Sequence, residues 1–384
     1  MSLPSFYSSI SNVQVAPAQS NLPITATTHQ SEETINKSNK VGLKAIWQDF
    51  KELARGAIKV VWVQRSQIAA SGMDLLESVY YTPVKSFFGG NARELKREVQ
   101  KMKDIEEKLK ADPTSATYLA IDAEVLPKAE RIQSKYTIKT PAASTDFEKK
   151  ISNPETSMND RALLGGHLLA GLTGLHKAGY VHGDMKPENC LIYQGGKLLK
   201  LADFGKAEMI KDKASQKYSG NTRFAPPEGQ LSKKSDVYGA AMMLIRNFEE
   251  PFLSESELSL VPIDSTEKDM DASSDLRGVE RFVVENKSFL AANAGSKTSL
   301  WTRIIRRFQM GRRSTEEKNQ QTQAMHQYID QLKQKLEEKE GFSPVHANRL
   351  CDLLKKMTVD NPTERISAED ASKEYDLIFQ DRPE

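Results

Sequence analysis

The feature that most constrains this chain is the run Val181-His182-Gly183-Asp184-Met185-Lys186-Pro187-Glu188-Asn189, followed fourteen residues after Asn189 by Asp203-Phe204-Gly205. It commits the carboxylates of Asp184 and Asp203, the amide of Asn189 and the amine of Lys186 to two loops that are close in sequence. If the fold brings those loops together, hard oxygen ligands are in place for a divalent cation, and one carboxylate is left to receive a proton. Neither half of the pattern carries that chemistry alone. Together they meet the requirements of phosphoryl transfer.

The rest of the chain must supply a scaffold. Its 384 residues are enough to bury a substantial core in two or three domains. Lys plus Arg is 54 against Asp plus Glu 52, a net +2, which argues against holding nucleic acid or a membrane by bulk charge. Cys190 and Cys351 stand too far apart in sequence for a disulfide framework or a close-spaced zinc cluster, as expected of a reducing, cytoplasmic setting. The most apolar stretch, Leu163 to Leu175, is broken by glycines and His167 and is too short to span a bilayer.

The first 40 residues hold 19 Ser, Thr, Asn or Gln and no charge before Glu32, which predicts a disordered polar leader. Order is expected from Val41. Leu43, Ile46, Trp47 and Phe50 recur at helical spacing, ahead of the β-branched run Ile58 to Val63. Residues 79–88 read as a strand. Ala92 to Leu109 reads as an amphipathic helix, with Leu95, Val99, Met102 and Ile105 on one stripe, ending before Asp112-Pro113. Strands are expected around 117–126 and 135–140. Helical patterns dominate from Asn159 onward, so a small mixed part precedes a larger helical one.

The spacing of the two central motifs resembles the catalytic loop H-R-D-x-x-x-x-N and the metal-binding D-F-G of eukaryotic-type Ser/Thr protein kinases. The resemblance implies an α+β, bilobal protein-kinase-like fold. Its small N-lobe, about 41–140, would carry an antiparallel sheet and one helix, and its larger, mainly helical C-lobe would cover about 141–384. Carried over by position, it makes Asp184 the group that orients the acceptor hydroxyl and takes its proton. Lys186 steadies the transferred phosphoryl group, and Asn189 and Asp203 bind Mg2+. Lysine two places after the catalytic aspartate is similar to the Ser/Thr branch. The implied cofactors are ATP and Mg2+, and the implied partners are protein substrates, the chain itself included.

Further matches follow in order. Gly220 to Glu228 resembles the end of an activation segment, with Asn221 for threonine and Pro226 for alanine. Ser235 to Gly239 resembles the helix start after it, and Asp360 to Arg365 the last turn of the family, so Glu228 and Arg365 are expected to form a buried ion pair. The nucleotide half is less regular. Leu53 to Val61 lines up with G-x-G-x-x-G-x-V but keeps only Gly56 of three glycines, with Val61 at the valine. Lys85, 13 residues before Glu98, is assigned the phosphate-contacting role with Glu98 as its ion-pair partner, and Lys59 is rejected. Pro83 argues for an edge strand there.

Three departures bear on function. Gly183 replaces the arginine that in many kinases pairs with an activation-segment phosphate, which predicts activity without that phosphorylation. Residues 252–341 exceed what a minimal C-lobe needs and read as a helical insertion. Within it, Leu300, Trp301, Ile304, Ile305 and Phe308 form an apolar stripe beside five arginines between 303 and 313, a basic amphipathic pattern that could meet a membrane or partner but more simply packs on the lobe. Met325, Ile329, Leu332 and Leu336 suggest a helical hairpin arm or short coiled coil. The uncleaved polar leader resembles export segments of bacterial effectors, so delivery into a host cell is one expectation. A catalytically inactive pseudokinase scaffold and a kinase of a small molecule are the alternatives.

Overall fold

The computed structural model describes residues 50–55, 59–66, 77–84, 90–210, 216–221, 224–249, 315–338 and 342–380. The polar leader, Gly56, Lys85 and residues 250–314 with their arginine cluster lie outside them. The described chain forms two compact units, one drawn from 50–95 and 123–142, the other from 96–122 and 143–379.

The first unit is built on an antiparallel sheet of five strands: β1 (Phe50–Arg55), β2 (Lys59–Gln64), β3 (Ser78–Pro83), β4 (Glu124–Val125) and β5 (Ile138–Pro141), in the order β1-β2-β3-β5-β4. The β-branched run supplies β2, in which Val60, Trp62 and Val63 are buried. One face closes over Val60, Trp62, Tyr80, Leu126 and Ile132, with Phe50 and Val84 at its margin. The Trp62 indole N–H donates to Thr82 Oγ1 at 2.8 Å, so the tryptophan is buried without an unmet donor.

Two local expectations give way here. Phe50, the last residue of the expected helix, is a strand residue opposite Gln64, while Leu43, Ile46 and Trp47 lie outside the described residues, and the Phe50 ring stands edge-on to Tyr80 at 5.1 Å. At Phe50, cross-strand aromatic packing outweighs the helical spacing. Strand β3 is central, not an edge, because Pro83 is its last residue and faces Lys59 at the end of the ladder.

Helix α1 (Gly90–Lys108) follows, with Leu95, Val99, Met102 and Ile105 buried as the stripe requires. Most of the segment 117–126 is not a strand. Asp112 caps a single turn, α2 (Pro113–Ala116), and Leu119 makes one parallel bridge to Leu201. Tight packing on the next long helix sets that path, as its glycines show below.

The second unit is organised around α4 (Met158–Lys177), which Ser157 caps and which follows strand β6 (Thr145–Asp146) and short helix α3 (Phe147–Ile151). Its glycines are contact points. A Cβ on Gly171 would stand 2.7 Å from the Tyr118 carbonyl, and one on Gly174 2.6 Å from that of Ser115. Arg161 is buried and donates to the carbonyls of Ile151 at 2.8 Å and Asn247 at 2.7 Å, tying the helix to its neighbours. Strands β7 (Tyr180–Val181), β8 (Cys190–Tyr193), β9 (Leu198–Leu201) and β10 (Glu208–Met209) form two small antiparallel sheets, β6-β8-β9 and β7-β10.

Helices α5 (Lys233–Glu249), α6 (Thr315–Glu337), α7 (Pro344–Met357) and α8 (Ala368–Phe379) complete the described unit. Met325, Ile329, Leu332 and Leu336 of α6 are buried, in a helix packed on α7 and α5. Tyr328 hydrogen-bonds the Glu249 carboxylate at the end of α5. That stripe therefore serves the core of the unit, with α6 packed on the next helix as a helical hairpin requires.

Candidate active site

The spacing between Asn189 and Asp203 is the length of a hairpin. Cys190 opens β8 opposite Leu201, which closes β9, and the Ala202 N–H donates to the Asn189 carbonyl at 2.8 Å. Asn189 and Asp203 thus flank the open end of one ladder. A tight turn at Pro187–Asn189 then brings Asn189 back to Asp184, whose carbonyl accepts from Asn189 Nδ2 at 2.9 Å. With its amide nitrogen so engaged, Asn189 has its Oδ1 left as a ligand atom. Beside the Asp203 carboxylate this is an oxygen donor set suited to Mg2+. Among the described residues, no group of three or more His, Cys, Asp or Glu forms an alternative metal cluster.

Asp203 holds a left-handed backbone, φ 61° and ψ 69°. A non-glycine residue there costs about 1–3 kcal/mol, strain that persists only where surroundings over-determine it. Those surroundings are visible. Phe204 is fully buried against the His182 ring, centroids 5.7 Å apart. His182 Nε2 donates to the Ala202 carbonyl at 3.0 Å, and its Nδ1 accepts from the Asp184 N–H at 3.3 Å. Both ring nitrogens of His182 are used structurally.

The Asp184 carboxylate is positioned from both sides. Its Oδ1 accepts the Asn221 N–H at 2.9 Å, while Oδ2 lies 3.4 Å from Asn189 Nδ2 and 3.2 Å from Lys206 Nζ. Asn221 is delivered by a segment with little freedom. Gly220 packs against the Gly183 carbonyl and the Tyr218 hydroxyl, so no side chain fits there. Tyr218 is buried, its N–H bonds the Gly229 carbonyl at 2.9 Å, and burial beside Asp184 and Asp236 pushes its phenol well above the ordinary range.

The loop is fastened from below by Asp236 in the first turn of α5. This buried carboxylate accepts the His182 N–H at 2.7 Å, the Gly183 N–H at 3.0 Å and His176 Nε2 at 3.0 Å. Gly183 has φ +73°, and a Cβ there would lie 3.0 Å from Leu231 Cδ1. Gly239, on the same helix, lets Met185 approach so closely that a Cβ would meet it at 2.7 Å.

Helix α1 reaches the start of the segment through one face. Lys101 Nζ donates to the Gly205 carbonyl at 2.9 Å, Tyr180 donates to Asp104 at 2.7 Å, and Lys108 lies 4.9 Å above the Tyr180 ring. Hydrogen bonds from Lys108 and Tyr180 hold the Asp104 carboxyl below its usual range. Glu98 is buried one turn earlier on the helix, but Lys85, its expected partner, lies outside the described residues, as does Gly56. Val61 is half-buried in β2.

Asp184, Asn189 and Asp203 are therefore brought together, with Lys186 half-buried on the same loop. Lys206, Asp236, His176 and Lys101 were not singled out for roles in the sequence. Asp236 carried a signal, since its run was matched as a helix start, but only geometry shows it receiving the loop's backbone. Farther off, Arg365 meets both oxygens of Glu228 at 2.9 Å and also donates to the carbonyls of Val359 and Lys234, the ion pair expected from the motifs. Cys190 is buried, and burial raises its thiol pKa, which suits a packing residue.

Comparison with known proteins agrees with this geometry. The family model described as Protein kinase domain matches residues 129–375. A calcium/calmodulin-dependent protein kinase kinase of Emericella nidulans is 43% identical over 77 residues, 19% of this chain and 15% of that protein. A serine/threonine-protein kinase of Mycobacterium tuberculosis, PknL, is 34% identical over 102 residues, 24% of this chain and 25% of its own length. A calcium and calcium/calmodulin-dependent serine/threonine-protein kinase of Pisum sativum is 28% identical over 120 residues, 29% and 23% of the two chains. The matched stretches thus span a quarter or less of these relatives.

Proposed function

This chain belongs to the protein kinase family, and from that premise we propose that it transfers the γ-phosphoryl group of ATP to serine or threonine hydroxyls of proteins. The observation that carries the reading is the Asp184 carboxylate, held by the Asn221 N–H at 2.9 Å beside the Asn189 and Asp203 end of one hairpin. Asp184 orients the acceptor hydroxyl and takes its proton as the new P–O bond forms and the bond to the leaving nucleoside diphosphate breaks. Lys186 steadies the phosphoryl oxygens. Asn189 Oδ1 and the Asp203 carboxylate would hold Mg2+, which would supply neutralisation of phosphate charge. On the nucleotide side, Gly56, Val61, Lys85 and Glu98 are assigned to ATP by their match to the family pattern.

The activation segment needs no phosphate in this proposal. Gly183 removes the guanidinium that would read one. In its place the segment is tied by β10 to β7, by Lys101 to the Gly205 carbonyl and by the buried Tyr218.

Transfer of radiolabel from ATP and Mg2+ to the chain itself and to generic acidic and basic proteins tests the reading, with Asp184→Asn and Lys85→Ala as references. Loss of the base should lower turnover about 10²–10⁴-fold. Label no higher than in Asp184→Asn would point to a scaffold, and label on small hydroxyl compounds alone to a metabolite kinase. Replacing Ser215, Tyr218, Ser219 and Thr222 by non-phosphorylatable residues, with Phe at 218, should keep most of the turnover. A hundredfold loss would overturn phosphate independence.

A further inference from the structure

Lys206 is placed unlike an ordinary surface lysine. Its Nζ stands 3.2 Å from Asp184 Oδ2 with 46% of the side chain exposed, whereas the Asp184 side chain is 11% exposed. The backbone that carries it is fixed on every side. Phe204 is fully buried, Lys101 holds the Gly205 carbonyl at 2.9 Å, and the Ala207 N–H closes the turn on the Phe204 carbonyl at 3.1 Å. The ammonium therefore faces solvent from a rigid mount directly beside Asp184 Oδ2, the oxygen that the Asn221 N–H does not bind.

Resting on the kinase reading above, we infer that Lys206 determines acceptor specificity by selecting hydroxyls that have an acidic side chain or phosphate group next to them. The reason lies in the charge balance of the step. While Asp184 is ionised, Lys206 has a partner, but with 46% of its side chain exposed the lysine can exchange that partner for another anion. The acceptor hydroxyl must take the Asp184 Oδ2 position to donate there. Once its proton has moved to Asp184 the carboxyl is neutral, and the ammonium has lost its counter-charge. An anion on the substrate restores that balance as transfer proceeds, an interaction that strengthens toward the transition state. A neutral neighbour leaves Lys206 on Asp184, competing with the hydroxyl. A basic neighbour adds repulsion.

The test uses the full chain and three serine peptides identical except for Glu, Ala or Lys on either side of the acceptor. Steady-state kinetics are measured for wild type, Lys206→Met, Lys206→Arg and Lys206→Glu. Wild type should favour the Glu peptide over the Ala peptide by about tenfold in kcat/KM. Lys206→Met should abolish that ratio chiefly by lowering kcat for the Glu peptide, Lys206→Arg should retain it, and Lys206→Glu should shift preference to the Lys peptide. Equal ratios in all four proteins, or no acidic preference in wild type, would overturn the inference while the kinase reading stands. Wild type labelling no peptide above Asp184→Asn would remove both.

Discussion

Asp236 shows how one side chain sets a loop. It receives two backbone N–H groups and one imidazole N–H in a site without solvent. Each buried donor left without a partner costs about 1–3 kcal/mol. Asp236→Ala should therefore lower unfolding free energy by several kcal/mol in urea titration and lose phosphotransfer, even though Asp236 lies beneath the reacting groups. Gly183 is limited by its backbone. With φ +73° and Leu231 Cδ1 3.0 Å from any Cβ, Gly183→Ala should cost about 1–2 kcal/mol, read as a lower Tm. The arginine common at this place in the family could enter only if Leu231 moved.

Between elements, the Glu228 and Arg365 pair joins the end of the activation segment to the turn before α8. Arg365 is buried, stacks 5.1 Å over the Tyr238 ring and makes two bonds of 2.9 Å to Glu228. Removing one partner leaves the other charge buried. Arg365→Met should cost about 3–5 kcal/mol, and the double variant with Glu228→Gln less than the sum of the singles, as a denaturation cycle would show. Close helix contact has a separate signature. Gly239→Ala places a methyl 2.7 Å from Met185 Cβ and should cost about 1–3 kcal/mol while displacing the loop that carries Asp184.

At the scale of the molecule, stability should depend on pH through His167, a buried residue of α4 stacked on Tyr118 at 4.9 Å. Burial lowers its pKa from 6.5 to about 4. Between those values the unfolded chain binds a proton that the folded one refuses, so stability falls as pH drops from 6.5 and levels off near 4. The full contribution is about 3 kcal/mol, and His167→Phe should flatten that part of the profile in denaturation at stepped pH. The sequence by itself determined which residues meet: motif order and spacing in one chain pointed to Asp184, Asn189 and Asp203, because loops on one hairpin need no distant information to be matched. It also carried the amphipathic stripe of α1 and the Glu228 and Arg365 pair. The edge reading of Pro83 failed because β3 pairs on both sides and ends at that residue, and Phe50 joined a strand because packing against Tyr80 overrode its spacing. Only the tertiary structure set Asp236 under the loop, Lys101 on the Gly205 carbonyl and Lys206 against Asp184. Those contacts join groups whose separation along the chain is fixed by no period, so only the packed fold brings them within hydrogen-bonding distance.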